Sequence, residues 1–215
     1  MIEKVKQSTS EKFLLALFII LGIIAIYIFI ILPQKCLFIK DNNPDKLAFN
    51  NPENIAVLNV NCGNVIIELY PEVSPGAVKR FKKLISLGEY DNIAFHRVIK
   101  DVLVQSGDLE FGKKDNYNYL YIGSGKTKYG TINSELNNQT EFKIGTVGMA
   151  RTNKLNTEDS QFFILLKDAP LFKGEYTPVG KVIYGLKILD TITDDHRREY
   201  VLRPDFINSF SLLEK

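Results

Sequence analysis

The 215-residue chain has no tryptophan and only two cysteines, two histidines and two methionines. So few thiols exclude a disulfide-built scaffold. Cys36, Cys62, His96 and His196 would make at most one zinc set, and their scatter matches no zinc-binding spacing. No metal site is expected. Charge of one sign is lacking too: 27 Lys and Arg against 25 Asp and Glu leave a net charge of +2. That balance gives no electrostatic case for a nucleic-acid partner. Gly125-Lys126-Thr127 lacks the leading glycine of a phosphate loop, because Leu120 stands there. No Gly-x-Ser-x-Gly element supports a serine triad. With 45% hydrophobic and 24% charged residues, the chain is neither disordered nor collagen-like.

What it does have is one long apolar run. Residues 13–32, FLLALFIILGIIAIYIFIIL, carry no charge and no proline. At about 1.5 Å per residue the run spans roughly 30 Å, the thickness of a bilayer's hydrocarbon core. It has no polar face, unlike a helix packed on a soluble core. It exceeds the roughly 7–15 apolar residues of a signal peptide and ends in Leu32-Pro33-Gln34-Lys35 without a small-x-small site. Residues 13–32 are therefore expected to form an uncleaved transmembrane helix after a short tail, 1–12. Lys4, Lys6 and Lys12 precede the run, while Lys35 and Lys40 follow it. The positive-inside rule then favours a cytoplasmic N-terminus and an extracytoplasmic remainder, periplasmic or luminal. Residues 33–53, with Pro33, Pro44 and Pro52 among Asn, Asp and Lys, read as a linker. A globular domain is left at 54–215. Cys36 and Cys62 are compatible with a disulfide in an oxidising compartment or with two free thiols.

The domain opens with two apolar runs, 55–60 and 65–69, around the turn Asn61-Cys62-Gly63-Asn64, a β-hairpin pattern. Ser74 suits a helix N-cap and Pro75 the first helical position. Val78, Phe81, Leu84 and Ile85 then recur at helical spacing over 76–87, with Gly88 as the stop. Lys79, Arg80, Lys82 and Lys83 fall on the other faces and read as a solvated surface, since no basic stripe continues elsewhere. Further short strands are expected at 94–99, 103–105, 146–150, 161–166, 177–183 and 207–213, and a short helix at 186–191. Residues 109–138 read as long loops. Many short strands and few helices make a mainly β barrel or sandwich.

Two strands carry residues that a core does not need. Phe95, Arg97 and Ile99 share one face of their strand, so a cation sits between apolar neighbours. An edge arginine covering apolar surface with its stem is the plain alternative. Gln161 and Phe163 share the face opposite Phe162 and Ile164. An outward Phe163 beside a glutamine then calls for a reason.

The motifs FHRVI (95–99), VQSGD (104–108), GTVGMART (145–152), SQFFI (160–164) and GKVIYGLKILD (180–190) resemble, in order and spacing, the cyclophilin-type peptidyl-prolyl cis-trans isomerases. ELYPEVSPGAVKRFKKL (68–84) is similar to that family's strand-to-first-helix segment. The similarity covers roughly residues 55–192 and extends to the final strand. It implies a mainly β fold: a closed eight-stranded antiparallel barrel capped by two helices, with a groove on the outer surface. It implies peptidyl-prolyl isomerase activity on proline-containing polypeptides, without metal or cofactor, in a monomeric soluble domain. Arg97 matches the catalytic arginine, Gln105 its polar partner and Phe163 the floor of the proline pocket. His96, Val102, Leu103, Ala150, Arg151, Gln161, Leu171, Phe172 and Tyr176 match substrate-binding positions. The chain departs from the family where Val102-Leu103 replace Phe-Met, Leu171 replaces Trp or Phe, Val179 replaces Phe and Ser106 replaces Gly. A less aromatic pocket wall and weak cyclosporin binding follow. The thinner wall also keeps open a second function, a proline-peptide-binding chaperone or scaffold with little turnover.

Overall fold

The computed structural model describes residues 8–31, 35–37, 39–195 and 199–213. Lys4, Lys6, Leu32, Pro33, Gln34 and His196, which entered the expectations above, lie outside the described residues. The chain divides into two compact units, Met1–Phe38 and Ile39–Lys215.

Among the described residues, the first unit is a helix and a short turn at 35–37. α1, Thr9–Ile26, opens on a capping box: Ser8 Oγ accepts from Glu11 N at 3.2 Å, and Ser8 N donates to Glu11 Oε2 at 2.8 Å. A π-helical turn, Tyr27–Ile31, continues it. Phe13, Phe18, Ile23 and Phe29 are exposed, and the helix buries none of its residues. Its apolar stretch Thr9–Ile30, 22 residues, is long enough to cross a membrane.

The second unit is built on an eight-stranded antiparallel sheet. Its strands are β1 (Ile55–Val60), β2 (Gly63–Leu69), β3 (Arg97–Ile99), β4 (Leu103–Ser106), β5 (Thr146–Met149), β6 (Phe162–Leu165), β7 (Pro178–Tyr184) and β8 (Ser209–Leu212), in spatial order β3-β4-β6-β5-β7-β2-β1-β8. β1 and β2 form the expected hairpin, closing on Val60 opposite Gly63. Gly63 takes a φ of +126°, a backbone conformation that glycine alone adopts readily.

Among the described residues, two α-helices accompany the sheet. α2 (Pro75–Ser86) buries Ala77, Val78, Phe81, Leu84 and Ile85, and α3 (Leu186–Leu189) buries Ile188 and Leu189. Phe81 is central to the core, with ring centroids of Phe162, Tyr90 and Phe210 at 5.2, 5.4 and 5.5 Å. The cap of α2 differs from expectation. Ser74 makes no capping bond, and its hydroxyl is buried without a partner. Glu135, from the long loop, caps the helix instead: Gly76 N donates to Oε1 at 3.0 Å and Ala77 N to Oε2 at 2.8 Å. A carboxylate at the positive end of the helix dipole satisfies two orphan N–H groups at once.

The closed barrel expected from the resemblance is corrected to an open one. β3 and β8 end the sheet and no ladder joins them. The irregular segment preceding β8 spans this gap through isolated bridges, Ala94↔Phe206 and Arg97↔Tyr200. Its main chain is tied on by Val98 N to Glu199 O, Val201 N to His96 O and Phe95 N to Asp205 O, each 2.9 Å. Pro204 interrupts this segment, and a residue without an N–H cannot continue a ladder.

Candidate active site

The short strands β3, β4, β6 and β5 bring distant residues into one cross-strand row. Arg97 pairs with Gln105, Gln105 with Phe163, and Phe163 with Gly148. Directly paired residues project on the same side of a sheet, so Arg97, Gln105 and Phe163 share one face. Ile99, Leu103 and Leu165 form the next row of that face. The intervening residues Val98, Val104, Phe162 and Ile164 turn the other way, into the main core.

The polar half of the row is a hydrogen-bonded chain. Arg97 Nη1 donates to Gln105 Oε1 at 3.3 Å, Gln105 Nε2 to Gln161 Oε1 at 3.1 Å, and Gln161 Nε2 to the Gly123 carbonyl at 3.1 Å. Behind it, Asp108 of the VQSGD motif is fully buried. Its Oδ1 accepts from Glu110 N and Phe111 N, and its Oδ2 from Gly123 N and Gly125 N. That single carboxylate folds the 108–125 loop back on itself and sets the Gly123 carbonyl where Gln161 reaches it.

The apolar half is a second, smaller core. Phe163 is 3% exposed, not open to solvent as simple alternation suggested. Phe142, from the segment just before β5, Phe172 and Tyr176 surround it at centroid distances of 6.4, 5.6 and 5.3 Å. Val102, Leu103 and Ala150 belong to the same cluster, with Leu165, Ile99 and Ala169. The ring lies across Gly148, where a Cβ would come within 2.5 Å of Phe163 Cζ. Only glycine leaves room for it, which gives the GTVGMART motif a steric reason. Arg151 closes one side, its guanidinium 5.0 Å from the Tyr176 ring and its Nε donating to the Glu175 carbonyl at 2.9 Å.

Four expected residues, His96, Phe95, Leu171 and Val179, stand apart from this cleft. His96 is 0% exposed, stacked on Tyr200 at 6.3 Å, and so cannot touch a bound peptide. Burial pushes its pKa down to about 4, against the opposing pull of Asp108. Phe95 also lies in the main core, because β3 begins only at Arg97 and the alternation does not extend back through it. Leu171 is 87% exposed and belongs to neither cluster. Val179, expected to thin the pocket wall, is fully buried in the main core. Residues that sequence reasoning missed are Phe142 in the pocket, Gly148 beneath it, and Glu199, whose Oε2 lies 2.6 Å from Arg97 Nη2 and 2.8 Å from Nε. Glu199 comes from more than a hundred positions away, and no local pattern marks it.

One outer face of an antiparallel half-barrel thus carries a cation and an aromatic pocket side by side. The model of the cyclophilin type peptidyl-prolyl cis-trans isomerases matches residues 55–211, and the chain belongs to that family. A probable peptidyl-prolyl cis-trans isomerase of Brucella suis is 39% identical over 160 residues, 73% of this chain and 81% of its own length. A peptidyl-prolyl cis-trans isomerase of Dictyostelium discoideum is 34% identical over 137 residues, 64% of this chain and 83% of its own. A crystal structure of a Cryptosporidium parvum cyclophilin type isomerase, obtained in the presence of the dipeptide Ala-Pro, superposes with a TM-score of 0.64 at 28% identity. It covers 75% of this chain and 99% of that one. The protein is a peptidyl-prolyl cis-trans isomerase of the cyclophilin type.

Proposed function

We propose that Arg97, Gln105 and Phe163 carry the isomerisation, acting on X-Pro bonds of polypeptides outside the cytoplasm. Amide resonance sets a barrier of about 18–20 kcal/mol to rotation. Twisting the bond localises a lone pair on the prolyl nitrogen. The permanently charged Arg97 guanidinium donates a hydrogen bond to that nitrogen in the twisted state. Gln105 holds the carbonyl side of the substrate, and Ala150, Arg151 and Gln161 line its backbone. Phe163, with Val102, Leu103, Phe172 and Tyr176, grips the proline ring while the rest of the peptide turns. This is differential stabilisation of the transition state. Lowering the barrier by about 7 kcal/mol corresponds to roughly 10⁵-fold acceleration. Rotation about a bond transfers no group and no electron, so the chemistry asks for no cofactor.

The observation that carries this reading is the row Arg97–Gln105–Phe163 across three neighbouring strands. The Ala-Pro dipeptide used with the Cryptosporidium parvum relative supports a proline ligand. In an isomerisation assay of the full chain in detergent micelles, Arg97→Ala is expected to lower kcat/KM about 10²-fold or more. An unchanged rate would overturn the mechanism. Peptide binding without acceleration by the unaltered chain would favour the chaperone reading.

Residues 13–32 anchor the enzyme in the membrane, with the catalytic domain on the extracytoplasmic side as a monomer. An apolar helix with every described side chain exposed supports insertion. The absence of a free cysteine among the described residues supports an oxidising compartment. Protease added outside sealed, right-side-out membrane vesicles is expected to digest the domain. Protection from that protease would reverse the topology.

A further inference from the structure

Arg97 does not meet the groove as a free cation. A guanidinium has five N–H donors in a fixed plane. Glu199 Oε2 accepts two of them, from Nε at 2.8 Å and from Nη2, 2.6 Å away. Gln105 Oε1 accepts one from Nη1 at 3.3 Å. Two donors remain, one on Nη1 and one on Nη2. The main chain of Glu199 is itself fastened to β3, its carbonyl accepting from Val98 N at 2.9 Å. The next residue, Tyr200, bridges to Arg97 itself. The carboxylate and the guanidinium it grips therefore start from paired backbone, and neither is free to drift from the other. Arginine is otherwise a long side chain with many rotamers, and Arg97 is 27% exposed.

We propose that Glu199 is a positioning residue for the isomerisation. It fixes the plane and rotation of the Arg97 guanidinium so that the two remaining donors face the twisting prolyl nitrogen. This rests on the reading of Arg97 given above and deepens it. Glu199 is 56% exposed, and ion pairs at such sites add little to stability. Its consequence is orientation, which a reacting geometry feels steeply. The rival effect, a carboxylate that merely dampens the cation, predicts the opposite sign: its removal would speed the enzyme.

One oxygen accepts both N–H groups, so the amide oxygen of a glutamine can take over both contacts without the charge. The test measures kcat and KM of the full chain in micelles for Glu199→Ala, Glu199→Gln, Arg97→Ala and the Arg97→Ala/Glu199→Ala pair. Melting midpoints and the NMR signal of Arg97 Nε–H are recorded beside them. Glu199→Ala is expected to lower kcat about tenfold, with KM changing less than about twofold, and to broaden the Nε–H signal by exchange with water. Glu199→Gln restores most of the rate. The double variant is no slower than Arg97→Ala alone. Unchanged or raised kcat in Glu199→Ala would overturn the proposal. So would a further tenfold loss on the Arg97→Ala background, since Glu199 would then act by another route. Arg97→Ala with full kcat would instead overturn the underlying mechanism, whereas a slow Arg97→Ala beside a fully active Glu199→Ala would overturn the positioning role alone.

Discussion

The two faces of β3, β4 and β6 are cut from the same few residues, yet they do different work. The inner face, Val98, Val104, Phe162 and Ile164, packs against α2 and the rest of the main core. The outer face, Arg97, Gln105 and Phe163, meets a small aromatic cluster on one side and a chain of polar side chains on the other. Because alternate residues point to opposite faces, one strand supplies core packing on one side and, in the proposed mechanism, chemistry on the other. Substitutions should separate along that line: inner ones unfold the domain, outer ones slow it.

The sharpest separation is between neighbours. Phe162→Ala should destabilise the domain by about 3–5 kcal/mol, the cost of emptying an aromatic site in a packed core. Urea unfolding measures it, and the folded fraction should retain its kcat. If activity per folded molecule collapsed as well, the two faces would not be separable. Acid is the next lever, because His96 is buried neutral with a pKa of about 4. An unfolded histidine titrates near 6.5, so the unfolded chain binds the extra proton between these values. The stability due to neutral His96 is fully present above about pH 6.5 and is lost progressively as the pH falls towards 4. The loss amounts to about 3 kcal/mol in all. Replacing His96 by Leu should flatten that slope in pH-dependent unfolding while leaving the neutral-pH KM unaltered, as expected of a residue outside the cleft.

Smaller effects sharpen the outer face. Gly148→Ala sets a methyl 2.5 Å from Phe163 Cζ and must displace the ring. It should raise KM for a proline peptide with a modest loss of stability, about 1–3 kcal/mol. Glu135→Ala removes the cap of α2 and should cost about 1 kcal/mol, read as a lower melting midpoint with kcat intact. Leu171→Ala, at an 87% exposed site, should change stability by less than about 0.5 kcal/mol.

Much of this was legible before any coordinates. The helical spacing of Val78, Phe81, Leu84 and Ile85 and the hairpin around Gly63 rest on local rules, and both appear as expected. The row Arg97–Gln105–Phe163 was legible through the ordered motifs, since each lies on its own strand. What stayed hidden depends on residues far apart in the chain. Glu135 reaches the start of α2 across 59 positions, and Glu199 reaches Arg97 across 102. A carboxylate in a loop carries no sign of its partner. Ser74 carries the right side chain for a cap, but its backbone, at φ −140° and ψ 69°, does not turn the hydroxyl towards the helix N–H groups. The gap between β3 and β8 likewise follows from an irregular segment that motif order does not describe.

The claim on which the account turns is that the cation acts on the rotating bond and the aromatic pocket on the ring. Two-dimensional exchange NMR of a proline peptide, with the full chain carrying Arg97→Ala, tests it most directly. The peptide is expected still to shift the signals of Phe163 and Tyr176, while cis-trans exchange falls close to the uncatalysed rate. Exchange as fast as with the unaltered enzyme, at equal occupancy, would contradict it.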